Sequence, residues 1–238
     1  MNSQKLLQPK PEFIQATIDY LNLAYKDYLA ARVLFNAHLP IQGSILASTA
    51  IEKYFKAILS IHGALIKQHY GHLKRSHIDT VKSLDPKLFS VLNAEFMELL
   101  EKAYSLRYLD NLPDDFNLVI ASREFLAELD FSAFTITEKF NFQNGERKAI
   151  LMYHFDRSNN DTRLLLNNHV LGGVDKQAFI SAEPQAVYEI RKYALSNYME
   201  STYFAAPLFS DGKFMRSGFT PKDSHGTQFN LAFMPLPK

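Results

Sequence analysis

The sequence contains no cysteine, so any chemistry in this chain must come from side chains other than a thiol. Disulfides, thiolate metal sites and a cysteine nucleophile are excluded together. Thr49, Glu52, Lys53 and Lys56 recur at helical spacing and would share one stripe of a helix. The functional reading turns that stripe toward a phosphate-binding groove met by Arg107. The plainer reading is an exposed Glu52–Lys56 pair in the stabilising acid-then-base order, worth ~0.2–0.5 kcal/mol. The most basic window runs from Lys67 to His77, and no acid occurs between Glu52 and Asp79. Lys67, His69, His72, Lys74, Arg75 and His77 around Tyr70 read first as a solvated loop. Their second reading is a surface for a nucleic-acid backbone, where cations and an aromatic ring work together. No carboxylate joins these histidines at ligand spacing, so no metal is expected.

Arg32 falls in an apolar helix seam. An unpaired guanidinium there would be costly and needs a carboxylate or a phosphate. Glu52 is the expected partner, with Asp110 as the other candidate. The strings Arg32…His38 and Arg163…His169 have an Arg-x5-His form but read as chance. In the C-terminal part, His154, Asp156 and His169 form no catalytic string, and Gly172-Gly173 lacks the pattern of a phosphate loop.

Helices must position the N-terminal candidates. Ile14, Ile18, Leu21, Tyr25, Tyr28, Arg32, Phe35 and Leu39 alternate at spacings of four and three, the seam of a first helix. Pro40 opens a second helix, lined by Ile41, Ile45, Ser48, Phe55, Ile58 and His62 and ending near Gly63. Ser76 caps a third through Leu84, stopped by Asp85-Pro86. Leu88, Leu92, Phe96, Leu99, Ala103 and Leu106 predict one long fourth helix. Asp114 would cap a fifth, running through Val119, Leu126 and Leu129. Beyond it, Phe134, Ile136, Phe140 and Phe142 alternate as in a strand, and Asn144-Gly145 is a hairpin signal. Arg147–Phe155 and Thr162–Leu171 read as further strands, Glu183-Pro184 as the start of a helix through about Tyr203, Asp211-Gly212 as a turn and Thr227–Met234 as a last strand.

The chain has 238 residues, 47% hydrophobic and 21% charged, which is the composition of a folded globular protein. Its net charge of +1 offers no global attraction to nucleic acid, so polyanion binding would have to be local. No apolar run approaches the ~20 residues of a membrane span. A cytoplasmic protein without membrane attachment is expected. Residues 1–130 carry 14 Lys/Arg, 15 Asp/Glu and three glycines, whereas residues 131–238 carry 12, 10 and six. That change places a boundary near Asp130. The expectation is an α+β chain: an antiparallel helical bundle over residues 1–130, then a small antiparallel sheet with one long helix over 131–238, packed on the bundle.

The stretch Asp27–Gly63 resembles the HEPN family of helical domains. Its most diagnostic piece is Ala50-Ile51-Glu52-Lys53 followed by Lys56-Ala57. Asp27, Ala31 and Arg32 match the acid and the Ala-Arg pair of the family's first helix. Ser76-His77 with Leu84 resembles its His-Asp-Leu stretch, although Ile78 precedes Asp79 here. Leu106-Arg107-Tyr108 with Asp110 resembles the Arg-Tyr signature that closes the fourth helix. The resemblance covers residues 14–129; residues 131–238 resemble no family. It implies binding of a nucleotide or of RNA by Glu52, Lys53, Lys56, His77, Arg107, Tyr108 and Asp110, without a cofactor, in a homodimer. Catalytic members carry Arg-x4–6-His near the end of the bundle. This chain reads Arg107-Tyr-Leu-Asp-Asn-Leu-Pro-Asp-Asp there, with no histidine. A non-catalytic binder is therefore expected. The alternatives are a metal-independent ribonuclease with a base such as His77 supplied from elsewhere, and a protein-interaction scaffold.

Overall fold

The seam on the first helix, α1 (Pro11–Asn36), is buried along its middle, where Leu21, Tyr25, Tyr28, Arg32 and Phe35 are each at most 2% exposed, whereas Leu39 lies past the helix end and is exposed. The structure, a computed structural model, describes residues 11–108, 112, 117–140, 142–144, 147–148, 151–182, 185–193 and 197–205. α1 closes with paired backbone bonds, Leu39 N–H to the Leu34 carbonyl and His38 N–H to the Phe35 carbonyl. The residue at the left-handed position is His38, with φ +58°. Pro40 then occupies the first turn of α2 (Pro40–Ile61), where its missing N–H has no cost.

α2 is apolar around most of its circumference and lies against α1, α3, α5 and α6. Gly43 lets it pack tightly on α1, since a Cβ there would stand 2.6 Å from the Phe35 ring. Phe35 cannot easily yield, because its ring stacks on Phe125 at 4.1 Å. Gly43→Ala should therefore lower stability by about 1–3 kcal/mol, read as a drop in the urea midpoint; an unchanged midpoint would show that Phe35 moves freely.

α3 (Arg75–Leu84) ends where expected, and the Asp85 carboxylate caps α4 (Pro86–Phe89) by accepting the Leu88 N–H. The predicted long fourth helix is interrupted. Asn93 accepts the Phe96 N–H and starts a new helix, α5 (Ala94–Ala103), followed by a 3-10 turn over Tyr104–Arg107. Leu88, Leu92, Phe96, Leu99, Ala103 and Leu106 are nevertheless all buried.

The expected fifth helix is replaced in its first part by strand β1 (Asn117–Ala121). Leu118 to Ala121 are buried without alternation, as in a strand covered on both faces. α6 (Ser122–Thr137) follows and runs without a break through Asp130, where the composition changes. Leu126, Leu129, Ala133 and Ile136 form its buried face, so Phe134 and Ile136 belong to a helix and not to the strand their alternation suggested. β2 (Gln143–Asn144) and β3 (Arg147–Lys148) make a short hairpin at the expected place, with Asn144 opposite Arg147.

Of the strands expected next, Arg147–Phe155 is a strand only over β3 and is helical from Met152, and Thr162–Leu171 opens as a helix. α7 (Met152–Ser158), α8 (Thr162–Leu165) and α9 (Lys176–Ser181) are short, and Asp161 and Asp175 cap the last two. The helix expected after Pro184 is a hairpin of β4 (Gln185–Tyr193) and β5 (Asn197–Ala205). Ala186 to Ile190 are consecutively buried, which a one-sided helix cannot achieve. β4 is the central strand of an antiparallel sheet ordered β1-β4-β5, with Ile120 opposite Tyr188 and Tyr188 opposite Thr202. The fold is α+β with a helical N-terminal region. One apolar cluster runs from Leu21 on α1 to Ile190 on β4. Asp110, Asp211-Gly212 and Thr227–Met234 lie outside the described residues. No helix among the described residues is long and apolar enough to cross a membrane.

Candidate functional site

Glu52, Lys53 and Lys56 do not line an open groove. Lys53 bonds the Asp27 carboxylate on α1 and so ties the first two helices together. Glu52 and Lys56 form the expected i,i+4 pair, with Nζ to Oε1 at 2.5 Å, but the pair is buried instead of exposed. Lys56 Nζ also donates to the Gly71 carbonyl at 3.0 Å, which pins the basic loop onto α2. Thr49 Oγ1 donates to the Leu46 carbonyl of its own helix.

His69 and His77 sit beneath that loop, both fully buried. His77 Nδ1 accepts the Lys74 N–H at 3.2 Å, so its proton resides on Nε2, which donates to the His69 carbonyl at 2.8 Å. His69 Nδ1 accepts the Ile66 N–H, and Nε2 bonds Thr80 Oγ1 at 3.1 Å. Burial pushes the His77 imidazole down to about 4, helped by the Lys56 and Lys74 charges, and pushes His69 down as well. These histidines fasten the loop. Among the described residues no group of three His, Asp or Glu side chains could hold a metal.

The outer surface of the same loop is different. His72 lies flat on Tyr104, with ring centroids 4.4 Å apart and planes 6° from parallel. The Arg107 guanidinium stands 5.6 Å from the centroid of the Tyr104 ring and donates to the Tyr104 hydroxyl at 3.0 Å. Tyr108 lies edge-on at 6.5 Å. Tyr70 and Tyr108 are 60% and 54% exposed, unusually bare for tyrosines. Lys74 Nζ reaches the Tyr70 carbonyl, and Lys67 is exposed on a 3-10 turn over Lys67–His69. Arg75 is neutralised by Asp79 and Glu98, which sets an acidic margin on one side. The structure thus joins His72, Arg107 and Tyr108 in one ledge around Tyr104, a residue the sequence reading overlooked. Glu52, Lys53, Lys56 and His77 are kept out of it by burial or pairing.

Arg32 is completely buried, and its carboxylate partner is Asp130, not Glu52. Two further donors of the guanidinium go to the carbonyls of Leu166 and Arg163. Tyr28 donates to the same Asp130 oxygen at 2.9 Å and accepts from Asn168 Nδ2 at 3.2 Å. Burial holds the Asp130 carboxyl above its ordinary range, and Arg32 and Tyr28 offset only part of that rise. Burial works against the Arg32 charge, and Asp130 outweighs it, so the guanidinium stays protonated. This network joins α1, α6 and the turns around α8. Neither Arg-x5-His string makes a catalytic pair: Arg163 is held by Asp161, while His169 bonds the carbonyls of Ala127 and Val174.

No family model matches the chain, and no curated protein or solved structure matches it either.

Proposed function

We propose that the chain binds the base and phosphate of a nucleotide or of single-stranded RNA on the ledge formed by His72, Tyr104, Arg107 and Tyr108, without cleaving it. The observation that carries this reading is Arg107, which makes no ion pair with any described residue and lies on Tyr104, whose ring also meets His72 and the exposed Tyr108. A base can stack on Tyr70 or Tyr108 because every base has a π-face, and Arg107 and Lys74 supply charge for the phosphate. The HEPN resemblance is part of the same proposal, as are action in the cytoplasm and pairing with a second copy. An open, mainly apolar groove of about 570 Å³ along α1, lined by Leu29, Val33, Leu34 and Met152, supports the pairing.

His77 supports no cleavage step. The lone pair a general base would use already accepts the Lys74 N–H, and His77 is buried. His72 is the histidine that shares a surface with Arg107. The test is fluorescence anisotropy with labelled ATP and a short single-stranded RNA at low and physiological salt, beside a cleavage gel and sedimentation of the same samples. Binding should weaken steeply with salt. It should fall several-fold in Arg107→Ala and Tyr108→Ala and stay unchanged in Lys87→Ala. No binding at low salt overturns the proposal. Cleavage that disappears in His72→Ala would replace the binder with a ribonuclease.

A further inference from the structure

A second place on the molecule gathers polar side chains, with no carboxylate among the described residues that line it. Between the end of α1, the start of α6 and strand β4 lies a cleft of about 170 Å³. Arg123, His38, Tyr188 and Asn167 supply its polar lining, and Phe35 and Phe179 supply apolar wall; none of the described lining residues is Asp or Glu. The Tyr188 hydroxyl bonds His38 Nδ1 at 2.8 Å, and Asn167 Nδ2 donates to Asn36 Oδ1 at 2.8 Å, so the rim is ordered by its own bonds.

Arg123 is the key group. Arg32, Arg75, Arg157 and Arg163 are each paired with a carboxylate. Arg123 makes no ion pair with a described residue and instead stands 5.3 Å from the centroid of the Phe179 ring. A guanidinium held at the wall of a concave site, with no counter-charge among the described residues, is suited to an anion, which it can meet with two parallel hydrogen bonds.

His38 adds a second line of argument. α1 and α2 end with the same paired backbone bonds, and the left-handed residue closing α2 is Gly63, with φ +64°. Glycine adopts that conformation without cost, whereas the equivalent residue of α1 is a histidine that lines the cleft. Backbone economy does not explain the imidazole, and the bond to Tyr188 holds it in the lining of the cleft.

We propose that this cleft is a binding site, separate from the aromatic ledge, for a small oxyanion carried on a flat apolar body. Arg123 and His38 receive the phosphate or carboxylate group, and Phe35 and Phe179 receive the body. The size of the cleft suits a ligand of about one ring. Calorimetric titration with inorganic phosphate, phenyl phosphate and benzoate tests this on the full chain. Phenyl phosphate should bind more tightly than inorganic phosphate, because only it contacts the apolar wall. Benzoate separates the two oxyanions: tighter binding than phenyl phosphate assigns the site to carboxylates, weaker binding to phosphate esters. Arg123→Gln should weaken the better ligand at least tenfold, and Arg107→Ala should leave it unchanged. His38→Gly should weaken it while the melting temperature holds or rises, which a purely structural histidine would not do. Absence of binding by both ring-bearing anions at millimolar concentration overturns the proposal, as does binding indifferent to Arg123→Gln and His38→Gly.

Discussion

Replacing Arg32 by alanine should cost about 3–5 kcal/mol of folding stability, the range for removing one member of a buried ion pair. The charge of Asp130 would be left in the interior with only the Tyr28 hydroxyl to answer it, since its second oxygen has no hydrogen-bond partner among the described residues. The carbonyls of Leu166 and Arg163 would lose their donor at the same time, and with it the bonds that tie the turns around α8 to α1. Arg32→Lys should rescue little, because one ammonium cannot reproduce the planar fork that reaches a carboxylate and two carbonyls. The double variant Arg32→Met/Asp130→Leu should be more stable than the sum of its single changes, since no charge is then stranded. Chemical denaturation of the four proteins measures this cycle. A loss below about 1 kcal/mol for Arg32→Ala would mean that water reaches the pair and would remove it as the link between α1 and α6.

The arginine in the seam was legible in the sequence, and its partner was not, for a definite reason. Asp130 sits among Leu126, Leu129 and Ala133 on the buried side of α6, as Arg32 sits in the apolar seam of α1. Glu124 and Glu128 are buried on the same helix, so spacing alone does not single out the partner of Arg32. The shift in composition near Asp130 drew attention to a boundary and hid the helix that crosses it. The first three helices were readable because their apolar residues repeat over at least two turns and proline or glycine punctuates them. The second half offers shorter periods. Asp161 and Asp175 cap helices of four and six residues, too short for a periodicity to develop. Ala186 to Ile190 is buried on both faces and gives no alternation at all. For the site, spacing along α2 placed Glu52 and Lys56 together correctly. It could not reveal that the loop over Lys67–His77 folds down on them and turns its histidines inward, a tertiary event set by Lys56 and Gly71.

That inward turn makes the protein acid-sensitive in a predictable window. An unfolded histidine titrates near 6.5, whereas burial first, then the nearby lysine charges, hold His77 down to about 4 in the folded chain. Below the unfolded value the unfolded chain takes up a proton that the folded chain refuses, so stability falls with pH. The contribution of His77 is fully present above pH 6.5, declines between 6.5 and about 4, and is spent below that. After allowance for solvent screening near the loop surface, the loss is about 2 kcal/mol. His69, depressed by the same burial, adds in the same direction. In urea titrations at pH 7.5, 6, 5 and 4.5, His77→Gln should start less stable, because the bonds to Lys74 and His69 are disturbed. Its stability should then fall less steeply with pH, so that the two curves converge near pH 4.5. Parallel curves would show that His77 exchanges protons freely in the folded state and that the loop does not seal it.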